Sequence, residues 1–170
     1  MGVEASSGKI PDPAITLILL KEAFREDVLA TALPQGDATV IIRPEALKRI
    51  MEFLKHDPRT RFEVLVDITA VDYLGRKPRF DVVYHMLSLQ KRLRLRVKVH
   101  VEDGNPQVES LTSIWGSADW LEREVWDMFG IRFMGHPNLK RILLYEEFQG
   151  HPLRKDYPIQ KRQPLIGPKN

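Results

Sequence analysis

There is no cysteine in this chain of 170 residues. That absence excludes disulfides, a thiolate nucleophile, and the usual four-cysteine iron–sulfur and zinc-ribbon sites. Any redox role must therefore use borrowed cofactors or none. Long apolar runs are missing as well. The longest, residues 15–20, is interrupted by Thr16, and it falls far short of the roughly 20 residues a spanning helix needs. The N-terminus lacks a basic start followed by an apolar stretch, so no secretory signal is expected. Gly2 and Ser6 fit the myristoylation pattern, which is short enough to be met by chance. The cytoplasm is the expected compartment. No G-x-G-x-x-G, no phosphate loop ending in Gly-Lys-Ser/Thr and no G-x-S-x-G occurs, which removes the easy routes to a nucleotide-driven enzyme.

Charge of one sign is also scarce. Lys and Arg number 26 against 23 Asp and Glu, for a net charge of +3. That surplus is mild evidence for nucleic acid or an anionic surface. With 43% apolar and 29% charged residues, the composition is that of an ordinary globular domain. A chain of this length buries about two thirds of its surface on folding, enough for one self-sufficient core.

Residues 1–13, with Gly, Ser and prolines on both sides of Asp12, read as a flexible leader. Over residues 21–33, Ala23, Phe24, Val28, Leu29 and Ala32 recur at helical spacing. Pro34, Gly36 and Asp37 break that helix. The β-branched residues 39–42 read as a strand. Pro44 suits the first turn of a second helix, whose stripe is Leu47, Ile50, Met51 and Leu54. Three strands follow. Residues 61–71 carry Phe62, Val64, Val66 and Ile68 in alternation, and residues 79–89 carry Phe80, Val82, Tyr84 and Met86. In residues 93–101, Leu93, Leu95, Val97, Val99 and Val101 face one way while Arg94, Arg96, Lys98 and His100 face the other. An antiparallel meander with one wet face is the natural reading. Residues 111–115 read as a helical turn and residues 118–129 as a helix. From Gly130 onward Pro137, Pro152, Pro158, Pro164 and Pro168 exclude regular helix and central strand. The predicted fold is α+β: two layers, helices on one mixed or antiparallel sheet, with a core over residues 14–135 and an extended proline-rich arm over residues 136–170.

Several constellations invite chemistry. The basic face Arg94, Arg96 and Lys98 has the charge to hold phosphates, but it lacks the interleaved aromatics on which bases stack. A partner-covered sheet face is the plainer reading, and no nucleic acid is expected. Glu122, Glu124 and Asp127 share a helix, and paired carboxylates can hold a metal or move protons. Arg123 stands four residues before Asp127, however, and Asp119 and Glu122 have capping-box spacing, so a helix with internal ion pairs is expected. His136 and His151 each sit in Gly-His-Pro. A metal enzyme using them with the helix carboxylates is one reading. Loop histidines bonded to backbone groups are the other. The arm itself is unusually apolar, with Ile131, Phe133, Leu139, Leu143, Leu144, Leu153 and Ile159 among others. Such a segment either wraps its own domain or lies on a partner.

Residues 120–158 run WLEREVWDMFGIRFMGHPNLKRILLYEEFQGHPLRKDYP. This stretch resembles the signature of the C-type subunit, the thirty-kilodalton subunit family, of proton-translocating NADH–quinone oxidoreductase (respiratory complex I). Its core pieces are Glu122-Arg123-Glu124, Trp126-Asp127-Met128-Phe129-Gly130, Gly135-His136-Pro137, Arg141 within residues 139–143, and His151-Pro152-Leu153-Arg154-Lys155-Asp156-Tyr157-Pro158. Residues 66–73 resemble the family's central strand. The resemblance implies a structural subunit of the peripheral arm of a bacterial complex, on the cytoplasmic side of the plasma membrane and bound to the membrane only through the complex. It implies no cofactor, metal or catalytic residue on this chain. NADH, FMN, iron–sulfur clusters and quinone would belong to partner subunits. The large quinone-site subunit (of the D type) and the cluster-bearing subunits are the implied partners. The signature residues would be interfacial, with Glu122, Arg123, Glu124 and Asp127 buried and fixing loops by ion pairs. An equivalent subunit of a related complex with another electron donor is the alternative.

Overall fold

The computed structural model describes residues 12–164. The leader expected over residues 1–13 falls almost wholly outside them, as do Gly2 and the last residues of the arm, 165–170.

The first helix, α1, spans Ala14–Ala23, seven residues earlier than the 21–33 spacing predicts. Asp12 starts it by accepting the Ala14 N–H on its Oδ1 at 2.9 Å. The run at residues 15–20 is therefore helical, with Thr16, Leu17, Leu19 and Leu20 buried and Ile15 and Ile18 exposed. Val28, Leu29 and Ala32, read as helical from their spacing, instead lie in an edge strand, β1 (Val28–Ala32). Pairing with β2 (Ala38–Ile42) overrides the local period there. After a 3-10 turn at Pro44–Ala46, α2 (Leu47–His56) presents the expected stripe, and Leu47, Ile50, Met51 and Leu54 are all fully buried. Phe24 meets Phe53 edge-on at 5.2 Å and joins the two helices.

The meander comprises β3 (Val64–Asp72), β4 (Phe80–Ser88) and β5 (Leu93–Val101). The sheet order is β1-β2-β5-β4-β3; β2 runs parallel to β5 and every other pair is antiparallel. The sheet is thus mixed, because the chain passes through α2 and the β3–β4 hairpin before β5 returns beside β2. Across the core face, Val40, Val97, Tyr84 and Ile68 are in register and buried. They pack with α1, α2 and the third helix in one cluster. Across the opposite face the register aligns Thr39, Arg96, His85 and Asp67.

One strand departs from the alternation read in the sequence. The β3–β4 register shifts between Leu65 and Asp67, leaving Val66 as a bulge. Leu65 is therefore buried and Val66 is 54% exposed, the reverse of what strict alternation gives. The third helix, α3, spans Ala118–Phe129. It is framed by two short parallel strands that sequence reading missed, β6 (Gln107–Glu109) and β7 (Arg132–Met134). Three residues are too few to carry a period. Ser117 Oγ donates to Leu65 O at 3.2 Å and Trp115 Nε1 to Glu63 O at 3.1 Å, fixing the start of α3 against β3.

Candidate functional site

The polar groups with the most partners lie where the arm returns to α3 and to the β3–β4 hairpin. Helix α3 ends at Gly130, whose φ of +76° closes it in the left-handed conformation. A Cβ there would stand 2.6 Å from the His151 ring, so a glycine is required twice over. His151 directs Nδ1 to Asp127 O at 2.9 Å and meets Trp126 edge-on at 6.3 Å. The next residue but one, Leu153, donates its N–H to Met128 O at 3.0 Å. The arm thus satisfies carbonyls that the helix end leaves free.

Asp127 is the first anchor. Its side chain is fully buried. Oδ2 accepts the N–H groups of Ile142, Leu143 and Leu144 at 3.1, 3.0 and 3.0 Å, and Oδ1 takes Arg141 Nη1 at 2.5 Å. Burial pushes this carboxyl up, but the Leu144 N–H, the Arg141 guanidinium and the other two N–H groups outweigh it and hold the pKa below the ordinary value. Arg141 also donates to Phe148 O at 2.7 Å and Gly150 O at 3.1 Å, and its guanidinium lies over Trp126 and Phe148. One carboxylate therefore folds a whole loop of the arm.

Arg79 is the second anchor, 5% exposed. It grips Asp72 with two parallel bonds of 2.8 and 2.7 Å, and reaches Asp103 at 2.9 Å and Asp156 at 2.9 and 2.8 Å. Arg154 bridges Asp103 and Asp156 and donates to Phe129 O at 3.4 Å, while the Lys155 N–H donates to Asp72 Oδ2 at 2.7 Å. Bonding to Asp72 and Asp156 raises the Arg79 pKa, and Arg79 in turn holds Asp156 down to about 2 and Asp72 below its ordinary value. Sequence reading did not single out Arg79, Asp72 or Asp103 as site residues. Arg79 and Asp72 flank the ends of one hairpin, which was a usable signal, but no spacing rule brings Asp156 to them.

Glu122 is buried differently. It accepts Ser110 Oγ at 2.7 Å and the Leu111 N–H at 2.6 Å, tying β6 to α3. Burial pushes its pKa up to about 7 against the pull of those two donors. The Tyr84 hydroxyl, also buried, has no hydrogen-bond partner in the described structure, and burial followed by the Glu122 charge pushes its pKa well up.

The remaining expectations divide. Arg123 does not pair with Asp127: it donates to Lys140 O at 3.2 Å and Arg141 O at 3.0 Å, because Asp127 turns inward to the arm. Glu124 is exposed on the outer side of α3 rather than buried. Asp119 and Glu122 form no capping box, since the helix starts at Ala118 without a side-chain cap and Glu122 faces β6. Both histidines bond to backbone, and His136 also meets a helix carboxylate: its Nε2 lies 3.1 Å from Asp119 O and 3.2 Å from Asp119 Oδ1, and the Asn138 N–H donates to His136 Nδ1 at 3.0 Å. Among the described residues, no three His, Asp or Glu side chains gather in a metal-holding group. Phe129 is buried, Pro152 is half-buried and Pro137 is exposed. Tyr157 stacks on Phe148 at 6.1 Å. Leu143, Leu153 and Ile159 point outward, exposed by 62%, 54% and 101%. So the arm holds to its own domain through its polar groups and through Leu139 and Leu144, which pack on the core, while Leu143, Leu153 and Ile159 face away from it.

Three comparisons bear on this arrangement. The C subunit of NADH-quinone oxidoreductase from Roseiflexus sp. (strain RS-1) is 49% identical over 148 residues, 87% of this chain and 85% of that one. The protein of the same name from Citrifermentans bemidjiense is 46% identical over 153 residues, 89% of this chain and 94% of that one. Among solved structures, the trypsin-resistant fragment of Nqo5 superposes with a TM-score of 0.63 and 34% identity, covering 74% of this chain and 98% of the fragment. Residues 40–163 match the family described as the 30 kDa subunit of respiratory-chain NADH dehydrogenase, and the chain belongs to that family.

Proposed function

We propose that this chain is the C-type subunit of the peripheral arm of a bacterial NADH–quinone oxidoreductase, and that it supports electron transfer from NADH to quinone without an active site of its own. The observation that carries this reading is the clamped arm. Asp72, Arg79 and Asp127, buried groups of the kind a catalytic site would use, here hold residues 139–157 to α3 and β3. Asp127 is saturated by four donors, and Arg79 by three carboxylates. Such saturated groups fix geometry and do not move protons at neutral pH.

Electron tunnelling and quinone entry depend on fixed distances and on excluded water. A rigid cofactor-free clamp between cluster-bearing chains supplies both. In this reading NADH, FMN, iron–sulfur clusters and quinone bind to partner subunits. Residues 136–164 of the arm, with Leu143, Leu153 and Ile159 outward, lie against the large quinone-site subunit. In this reading the chain is attached to the membrane only through the complex, on the cytoplasmic side; no helix among the described residues is long and apolar enough to cross a membrane. The test is purification of tagged chain from native membranes in mild detergent, with mass spectrometry of what accompanies it. Recovery of the large quinone-site subunit, the cluster-bearing subunits and the flavin-bearing module supports the reading and fixes NADH as donor. A chain recovered alone overturns it.

A further inference from the structure

The two edges of the five-stranded sheet are finished differently. At the β3 edge, Val66 forms a bulge, Ser117 Oγ and Trp115 Nε1 occupy the carbonyls of Leu65 and Glu63, and α3 lies alongside. Bulges, side-chain bonds and a covering helix are the usual means by which a sheet edge is closed to other strands. The β1 edge has little of this. Its five residues, Val-Leu-Ala-Thr-Ala, carry no charge and no proline. A bulge at Leu29 affects only its start, and Ala30, Thr31 and Ala32 pair regularly with Ile41, Val40 and Thr39. Leu29, Ala30 and Ala32 are exposed.

A groove of about 230 Å³ runs beside this edge on the outer sheet face, floored by Ala30, Ala32 and Ile41 and walled by Arg96 and Lys98. Among the described residues no carboxylate lines it. The two cations have distant acids: Asp37 is 3.9 Å from Arg96 and Asp81 is 4.0 Å from Lys98, and Asp81 is already engaged by Arg76 and His100. On the helix side of the same edge a second groove is lined by Ile18, Val28, Lys21, Arg25 and Glu22. In each of these two grooves cations outnumber acids among the described residues, while Glu26 and Asp27 stand beyond the start of the strand.

We propose that β1 pairs edge to edge with an extended segment of a partner subunit, and that this segment places a carboxylate beside Arg96 and Lys98. Backbone pairing supplies the affinity and the flanking side chains the selectivity. A second copy of this chain fits poorly, because its β1 is uncharged and its neighbours bring the same cations to the interface. The proposal rests on the reading of the chain as part of a larger complex, and it assigns one face of that contact.

The test uses the native complex. A photoreactive amino acid at Ala30 is activated in membranes and the cross-linked peptides are identified. The expected product joins Ala30 to a partner segment with Asp or Glu within two residues of the cross-link. The double substitution Arg96→Gln, Lys98→Gln lowers its yield by about tenfold, the loss of roughly one charge-assisted contact. Amide exchange over residues 28–32 is compared between the isolated full chain and the complex, and slows by at least about tenfold in the complex. Unchanged exchange in an assembled complex, or a cross-link to lipid, to a second copy or to a segment lacking acids, overturns the proposal. Absence of partners in the unsubstituted purification is a separate result and overturns the reading of the chain as part of a complex.

Discussion

Arg79 donates from Nη1 to Asp156 Oδ2 at 2.9 Å across 77 residues of chain. This bond joins the start of β4 to the strap at the end of the arm, and the two partners are not equivalent. The Arg79 side chain is 6% exposed and serves three carboxylates, one of which, Asp72, is 2% exposed. Asp156 is 47% exposed and close to water.

The first prediction is an asymmetry between these partners. Arg79→Ala leaves the Asp72 carboxylate buried with only the Lys155 N–H, and destabilises the chain by about 3–5 kcal/mol, as removal of one member of a buried pair does. Asp156→Asn changes stability by about 1 kcal/mol or less, since a half-exposed pair is screened. Urea unfolding of the two variants checks this. In both, trypsin cuts faster at Lys155 and Lys161, and equal destabilisation of the two would contradict the hub. The pH dependence follows in sign. Folded pKa values of Asp72 and Asp156 are depressed by Arg79, to about 2 for Asp156. Their contribution is present above the unfolded carboxylate pKa and is lost as the pH falls through the folded values.

The second prediction concerns Asp127. In Asp127→Asn the charge that Arg141 and three N–H groups surround is gone, and the amide presents donors to a donor-lined pocket. A loss of about 2–4 kcal/mol is expected, since several charge-assisted bonds depend on one group. The loop at residues 141–150 opens before the core does. Amide exchange reads this directly: Ile142, Leu143 and Leu144 lose protection, whereas Val97 and Val99 in β5 exchange as before. Uniform loss of protection would mean that Asp127 holds the core rather than the arm.

How much of this was legible beforehand depends on the range of each interaction. The stripe Leu47, Ile50, Met51 and Leu54 and the alternation of β5 were readable because burial follows the local period there. Val28, Leu29 and Ala32 misled because a five-residue edge strand happens to match helical spacing, and only its partner β2 decides the matter. Val66 misled because a bulge inserts one residue into a period of two. In the site, the bonding of His136 and His151 to backbone follows from their loops. By contrast Arg123 was expected at Asp127 by the i, i+4 rule, whereas a partner 14 residues away, Arg141, takes that place. The family signature marked Asp127, Arg141 and Asp156 without saying what each holds.

The third prediction is a coupling between Gly130 and His151. Gly130→Ala meets a positive φ and a ring 2.6 Å from the new Cβ, and loses roughly 1–3 kcal/mol. His151→Ala empties that space but gives up the bond to Asp127 O. The double variant retains only the backbone strain of the first change, so the two losses sum to more than the pair measured together. A double-mutant cycle by thermal unfolding checks it, and simple additivity would show that the ring does not press on Gly130.

The fourth prediction isolates Glu122. Its folded pKa of about 7 is raised by burial above the 4.5 of a free carboxyl. A group that binds its proton more tightly in the folded chain contributes most below the unfolded pKa, and that contribution is lost as the pH rises through the folded one. Between pH 4.5 and 7 the wild-type chain should lose on the order of 3 kcal/mol from this group. Glu122→Gln removes the titration and keeps the geometry, since its carbonyl accepts the Leu111 N–H and its amide donates to Ser110 Oγ, whose proton turns to Thr112 Oγ1 at 2.9 Å. Other groups titrate too. Burial lowers the His151 pKa, so that residue weakens the fold as the pH falls, and Asp119 and Tyr84 stand near the Glu122 charge. The His151 contribution is common to both chains and cancels in the difference; Tyr84, its pKa raised well above the ordinary value, stays neutral over this range, and the Asp119 charge acts through Glu122 and is part of what the substitution removes. The variant should therefore match wild type within about 1 kcal/mol at pH 5 and exceed it at pH 8. Denaturant unfolding across that range decides the point: parallel curves would mean that Glu122 stays ionised in the fold, held so by Ser110 and Leu111 against its burial.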